Sequence, residues 1–529
     1  MRSQPASIDW TKPVVAIMLV GHAMLMLIAI VWWVLNLETL PDYGDSRQYL
    51  RLAESLRVDD FRTLFYPLIL RGLKTAAMFC GCRVELLAYL VQTVLALTSI
   101  AYLGRALWDL TAETEKFSQL KRVSALRRQA VIGAFAMLVF SRPLINHFAL
   151  SVMTDSLAAS FTTAGLAALI RVSTLGDTRL RTVVIGCLAI AAAGFMRAEK
   201  VYVMGLTIVL ALAAAWWLAR STMSSHRGRV LAYLTLLLLI PGIAVTAINR
   251  ATQIPGYYGW PPVTTDVRLF VRAVWPRLTQ LRPLLSQKFR AVVSEKDAKA
   301  FDHNYNEYLR LVPLLQQHAG GTNVLVNEAS WVAIRHHGRE IASTTAMDAL
   351  RYAVPLIAYP ADIHYGSGKR ASNWTHTRMR AATPLLTDAY LWAATGLLFI
   401  IQIPVVLTLL IQLGGSWNQR VMVAVGLLLA VSIINAILYA AGNGLQNVRY
   451  ALPAVYLVFA AIVWGNFVWL AARCTDGRTN RARRASDPTR SGSTRSTTLS
   501  IRDGRTPFTP RSAATGGIFP MALWPLTMR

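Results

Sequence analysis

Val14–Leu35 reads VVAIMLVGHAMLMLIAIVWWVL, an apolar stretch in which His22 is the only ionisable side chain. A helix needs about 20 such residues to cross about 30 Å of hydrocarbon. The stretch is too long for the hydrophobic region of a secretory signal, and no small-x-small cleavage site follows it. It therefore reads as a retained anchor. Outward from it the same pattern recurs near 84–104, 129–141, 150–170, 183–196, 201–219, 230–248, 389–411, 421–440 and 450–471. Of these, 129–141 and 183–196 are short and need neighbouring residues to cross. The expectation is an all-α polytopic membrane protein with about ten transmembrane helices. Leu64–Phe79 is apolar as well, but Arg71 and Lys74 interrupt it, which predicts a helix lying along the membrane surface.

Composition agrees. Of 529 residues, 54% are hydrophobic and only 15% charged, against about 25% charged in soluble domains. This excludes a disordered chain, a coiled coil and a disulfide scaffold, and argues against a soluble enzyme. Cys80, Cys82, Cys187 and Cys474 show no metal-binding spacing, and Cys80-Gly-Cys82 is too tight for an ordinary disulfide framework, so they read as bystanders. The net charge of +27 could suggest nucleic acid, but the placement of the charges decides otherwise. With both termini cytoplasmic, the cytoplasmic segments hold 26 of the 54 Lys and Arg and the short outer loops only 11. Long segments are exempt from the positive-inside rule. The excess is thus a topology signal and no nucleic-acid partner is expected. Only the basic tail remains as a contact for anionic lipid.

The expected organisation is an N-terminal membrane module of seven helices (1–248), whose first outer loop is 36–83, then a mostly helical periplasmic segment (249–388). C-terminal membrane helices (389–471) and a basic cytoplasmic tail (472–529) follow, the tail with a composition that predicts disorder. No internal repeat is visible, which disfavours a transporter built from inverted halves. In the outer segment, Asp302–Gln317 and Glu328–Leu350 have helical spacing. Ile254–Pro262 (IPGYYGWPP) is turn-rich and aromatic, and Pro360–Trp374 carries Asp362, His364, Tyr365, Lys369 and Arg370. Such residues suit a sugar-phosphate ligand or an interfacial aromatic belt. His336 and His337 read as solvated, because adjacent residues do not share a helix face.

The first outer loop is the richest in chemistry. Asp42 and Asp45 lie three residues apart directly after the first span, and Ser46–Leu56 predicts an amphipathic helix. Close carboxylates hold a divalent cation, or serve as a general base and its tuning partner. Asp45 equally suits a helix N-cap. Asp155, Arg197, Lys200 and Arg449 also fall at outer ends of spans, where ionisable groups are costly and usually functional. For Asp155 the alternative is again a cap, and for the cations it is snorkelling to the interface. His147, just before a span, is a further contact or a satisfied interfacial histidine.

The run Gly44-Asp45, Tyr49-Leu50, Leu52-Ala53 resembles the first periplasmic loop of the GT-C glycosyltransferase superfamily. The nearest groups are bacterial relatives of dolichyl-phosphate-mannose protein mannosyltransferases and lipid A aminoarabinose or galacturonic acid transferases. Tyr66-Pro67, Ser151–Leu157, Phe195–Lys200 and Arg449–Pro453 resemble later motifs of that superfamily in the same order. Ala198 stands where the family has proline, Asp155 where many relatives have Glu, and Pro67 where the family has two prolines. The resemblance spans about 10–470. It implies a GT-C-like fold and an inverting sugar transfer from a polyprenyl-phosphate donor to a glycan, lipid or protein acceptor, on the periplasmic side of the inner membrane.

In that scheme Asp45 is general base or metal ligand with Asp42 as its partner, and Asp155 orients the acceptor or shares a cation (Mg or Mn). Arg197, Lys200, Arg449, Tyr450 and His147 contact substrate and phosphate. The rival readings are a lipid-linked oligosaccharide flippase, a polymerase or ligase, and a non-catalytic scaffold.

Overall fold

The computed structural model describes residues 11–37, 44–58, 62–218, 225–254, 264–304, 307–353, 364–365, 369–370, 383–413, 419–442 and 452–485. They form an all-α polytopic membrane protein. Eight helices are long and apolar enough to cross a membrane, or up to nine if the bent pair Ala125–Phe140 and Pro143–Ala149 counts as one span. Leu180–Met196 is a shorter apolar helix of 17 residues. Every expected span falls on a helix, and the two that look short in sequence are this short helix and the bent pair. Among the described residues the only paired strands are two-residue ones, β1 (His364–Tyr365) antiparallel to β2 (Lys369–Arg370).

The N-terminal helices are α1 (Thr11–Leu35), α2 (Gly44–Ser55), α3 (Phe65–Cys80), α4 (Val84–Ala112), α5 (Ala125–Phe140), α6 (Pro143–Ala149), α7 (Thr154–Leu175), α8 (Leu180–Met196), α9 (Glu199–Leu218) and α10 (Ser225–Thr252). The intervening segment contributes α11 (Thr265–Val274), α12 (Leu278–Leu281), α13 (Gln287–Val292), α14 (Glu295–His303), α15 (Tyr308–His318) and α16 (Val324–Ala353). Then come α17 (Pro384–Gly396), a π-helical turn (Leu397–Gln402), α18 (Ile403–Leu413), α19 (Gln419–Gly442) and α20 (Leu452–Ala485).

Helix α7 is the hub. It packs against α4, α8, α9, α10 and α19, and 83% of its span is buried, against 22% for α1. Its small residues permit this. A Cβ on Gly165 would come within 2.8 Å of Ile190. The hydroxyls of Ser160, Thr162 and Thr163 donate to carbonyls one turn back, so they enter a low-dielectric core already satisfied. Membrane helices from both ends of the chain share one core around Phe135, Leu169, Ile208, Val431 and Tyr456. The intervening segment has its own core, built on Phe270, Phe289, Phe301 and Leu311. Helix α16 then leaves that core and packs along α19, with Ala349 against the membrane-helix core.

Residues 1–474 form one compact unit and 475–529 another. The tail differs from expectation at its start, since α20 continues to Ala485; 486–529 lie outside the described residues. The helix expected over Asp302–Gln317 is broken into α14 and α15. Asn304 is extended (φ −137°, ψ 106°), and the Asp302 carboxylate instead accepts the N–H groups of Leu278 and Thr279 at 2.7 and 2.8 Å, capping α12. His336 and His337 are solvated as expected, His336 exposed and His337 half-buried. His337 leaves helical geometry (φ −128°, ψ 18°), and both residues line one shallow cleft with Arg339 and Glu340. Apart from Ile254 and the paired strand residues, 254–262 and 360–374 lie outside the described residues.

Candidate functional site

The site is assembled at the end of the bundle where α8 finishes and α7 and α9 begin. The surface helices α2 and α3 lie over it. Ser46, Tyr49, Leu52 and Ala53 recur at helical spacing and are buried, so α2 has one inward face. Tyr66, Pro67 and Leu70 form the matching face of α3. These faces join a cluster with Leu150, Val152, Leu157 and Met196 at the ends of the spans. Leu56, in the left-handed region (φ 53°), ends α2. The chain is then stitched down: Ile254 N–H donates to Val58 O at 2.9 Å, Gln253 Nε2 donates to Arg62 O at 3.0 Å, and the Thr63 hydroxyl donates to Phe195 O.

The Tyr49 hydroxyl is 3.3 Å from Thr154 Oγ1, at the first residue of α7. Beside it, Arg197 Nη2 lies 2.7 Å from Asp155 Oδ1 and 2.9 Å from Oδ2. Arg197 Nη1 reaches Glu199 Oε1 at 3.2 Å, so one guanidinium bridges two carboxylates. Glu199 also accepts the hydroxyl of Tyr439 on α19. Lys200 donates to Asn435 Oδ1 at 2.6 Å and sits 4.7 Å from the centre of the Tyr439 ring. The Asp155 side chain is 3% exposed and Lys200 1%. Tyr49 and Tyr66 meet edge to face at 5.0 Å, and Arg62 stacks over Tyr49 at 5.0 Å. Burial first, then Tyr49, Tyr89 and Asp155 nearby, push the Tyr66 phenol well above its ordinary value.

Three of the expected site residues thus come together. Asp155 is not the cap of α7: Met153 holds that position, and both Asp155 oxygens face Arg197. Lys200 does not snorkel; it is fully buried. His147 lies in α6, 1% exposed, with its ring 6.4 Å from Trp32. Asp45 falls in the first turn of α2, not before it, where the helix dipole favours a carboxylate; its side chain, like Asp42, Arg449 and Tyr450, lies outside the described residues. Arg62, Asn435 and Tyr439 carry no motif, and only the fold brings them to the site. The described residues offer no group of three or more His, Cys, Asp or Glu arranged to hold a metal ion, and a cation on Asp155 would have to displace Arg197.

A second polar cluster lies deeper. Arg142, in the corner between α5 and α6, is 2% exposed. It donates to Ala394 O at 3.2 Å and to Gln402 Oε1, and the Gln402 amide is 3.0 Å from His22 Nε2.

No protein-family model, curated protein or solved structure matches the chain.

Proposed function

We propose that the protein is a membrane glycosyltransferase that moves a sugar from a polyprenyl-phosphate donor to an acceptor hydroxyl. The observation that carries this reading is the buried chain Asp155–Arg197–Glu199 with Lys200 beside it, at the ends of spanning helices and beneath two surface helices. Ionisable groups held at such depth are expensive and usually serve a substrate. A lipid-linked phosphate needs this combination. Its tail lies among helices, and its phosphate needs fixed cations.

Charge supports the transfer step, and attack from the face opposite the phosphate makes it inverting. As the sugar leaves, negative charge develops on the phosphate, and preorganised cations stabilise it in a site from which water is excluded. Arg197 and Lys200 supply them. Asp155 and Glu199 hold the guanidinium in one orientation, Asn435 and Tyr439 hold the ammonium, and neither cation reorganises during the reaction. A carboxylate takes the acceptor proton from the opposite face of the sugar; Asp45, with Asp42 beside it in sequence, is assigned that role. Arg449, Tyr450 and His147 are assigned to substrate contact. The enzyme sits in the inner membrane with its termini in the cytoplasm and its site facing the periplasm. A flippase reading needs a polar passage. His22, Gln402 and Arg142 do not supply one, because each is bonded to the next and none is more than 7% exposed.

The test is sugar transfer in membranes holding equal amounts of wild type, Lys200→Met and Asp45→Asn, supplied with radiolabelled undecaprenyl-phosphate sugars. Transfer by wild type that drops at least 100-fold in Lys200→Met, about 2.7 kcal/mol of transition-state stabilisation, supports the reading. Equal transfer by Lys200→Met refutes it. Equal transfer by Asp45→Asn removes Asp45 as the base.

A further inference from the structure

We infer that Arg142 is a positioning residue, which sets the buried helix α6 and through it the start of α7. Its link to catalysis rests on the function proposed above.

The chain turns by 85° between α5 and α6, and Arg142 stands in that corner. Its guanidinium has only neutral partners among the described residues: Ala394 O, Gln402 Oε1 and the ring of Phe459 at 4.4 Å, while Nε has none. Gln402 is the last residue of the π-helical turn. Such turns re-aim a side chain by inserting one residue into the helical ladder. Arginine can only donate, so the Gln402 oxygen must face it. The amide nitrogen then faces His22 Nε2, which accepts, and His22 Nδ1 donates to Met18 O. Asn466 Nδ2 holds the Gln402 backbone oxygen at 3.3 Å. The whole chain has one consistent direction, which leaves one arrangement of the corner.

The same corner is tied twice more. Tyr390 Oη donates to Ser141 O at 2.8 Å. Asn146 Nδ2 donates to Ala29 O at 3.1 Å and lies 3.3 Å from Tyr390 Oη. Helix α6 is thus held to α1 and α17 through Asn146. From there the chain passes Gln92 Nε2, which donates to Ala149 O and Ser151 O at 3.1 and 2.9 Å. It enters α7 at Thr154 and Asp155, the residues bonded to Tyr49 and Arg197. What Arg142 sets at one end arrives at the candidate site at the other.

Stability does not account for this residue. A cation held in hydrocarbon is costly, and an apolar side chain of similar volume relieves that cost while leaving Gln402 Oε1 and Ala394 O without their donor, so the two effects oppose each other. What the fork adds is selection of a single seating for α6. A positioning role therefore separates stability from activity, whereas a structural role moves them together.

The experiment uses the full chain in lipid nanodiscs as wild type, Arg142→Met and Arg142→Lys. It measures thermal midpoint, hydrogen exchange of the α6 amides, and kcat and KM with undecaprenyl-phosphate sugars. For Arg142→Met we expect a midpoint within about 3 °C of wild type, at least tenfold faster exchange in α6, and at least a tenfold fall in kcat with KM within threefold. Arg142→Lys should fall between the two in exchange and kcat. A midpoint that falls further than that together with kcat, a variant that does not fold, or unchanged exchange in α6 overturns the inference. Should wild type transfer no sugar, the proposed function fails, and the midpoint and the exchange still decide whether Arg142 sets α6.

Discussion

Removing the positive charge of Arg197 with Arg197→Gln strands a carboxylate. Asp155 is 3% exposed at its side chain, and Arg197 contacts both of its oxygens. Breaking a buried pair from one side costs about 3–5 kcal/mol. Glu199 suffers less, because Tyr439 still donates to it. The unit to Cys474 has an unfolding entropy of about 1 kcal/mol/K at about 2.1 cal/mol/K per residue, so the midpoint should fall by about 3–5 °C. Asp155→Asn leaves Arg197 with Glu199 at 3.2 Å and 18% side-chain exposure, so its cost is about 1–2 kcal/mol, or about 1–2 °C. The double variant replaces both charges by neutral amides of similar shape and should recover most of the larger loss. The assay is differential scanning fluorimetry of the four proteins in one detergent at neutral pH. A loss below about 1 °C in Arg197→Gln, or a double variant that loses the sum of the singles, refutes the view that these groups are held as a desolvated ion pair.

Two further outcomes follow from other parts of the chain. The Ser294 hydroxyl first, then Arg310, hold the Asp297 carboxyl below the usual carboxylate range. A lowered folded value means stability that is present above the unfolded value, near 3.9, and lost as pH falls through the folded one. Asp297→Asn should therefore cost α14 about 1 kcal/mol at pH 7 and progressively less as pH falls below the unfolded value, read as hydrogen exchange over 295–303; a difference that does not shrink as pH falls refutes it. In the membrane core, a Cβ on Gly104 would lie 2.5 Å from the Phe135 ring, whereas one on Gly133 meets nothing within 4 Å. Gly104→Ala should cost about 1–3 kcal/mol while Gly133→Ala leaves the melting midpoint unchanged, and equal midpoints for the two refute the close approach of α4 to α5.

The spans were legible because each is a long apolar run, and the two exceptions were legible as exceptions. The helices of the first outer loop were legible too. Leu64–Phe79 is found as α3, and Tyr49, Leu52 and Ala53 give α2 its single inward face. What sequence could not supply was pairing between distant segments. Asp155 and Arg197 are 42 residues apart, and nothing local says that one bridges to the other or that Tyr439 closes the set. Arg142 sits just past a short apolar stretch and carries no motif; it stands at the 85° bend after Phe140, which the sequence does not announce. His336 and His337 read correctly as solvated, but the kink at His337 was not legible, because side-chain spacing assumes an unbroken helix. Asp302–Gln317 carries the right periodicity for a helix, but the backbone is extended at Asn304, which ends α14 there.

The burial of α7 bears on how the chain is made. Of the eight long spans it has the lowest hydropathy, because Ser, Thr, Gly and Ala occupy faces that other helices cover. A segment of that composition gains little by entering lipid alone. During synthesis α4 and α5 emerge from the ribosome before it and α8 after it, and α8 packs heavily against it. The insertion machinery must therefore retain α7 until α8 is available to cover it, so a nascent chain stopped after Leu175 would present to cellular quality control the helix that the finished protein hides best.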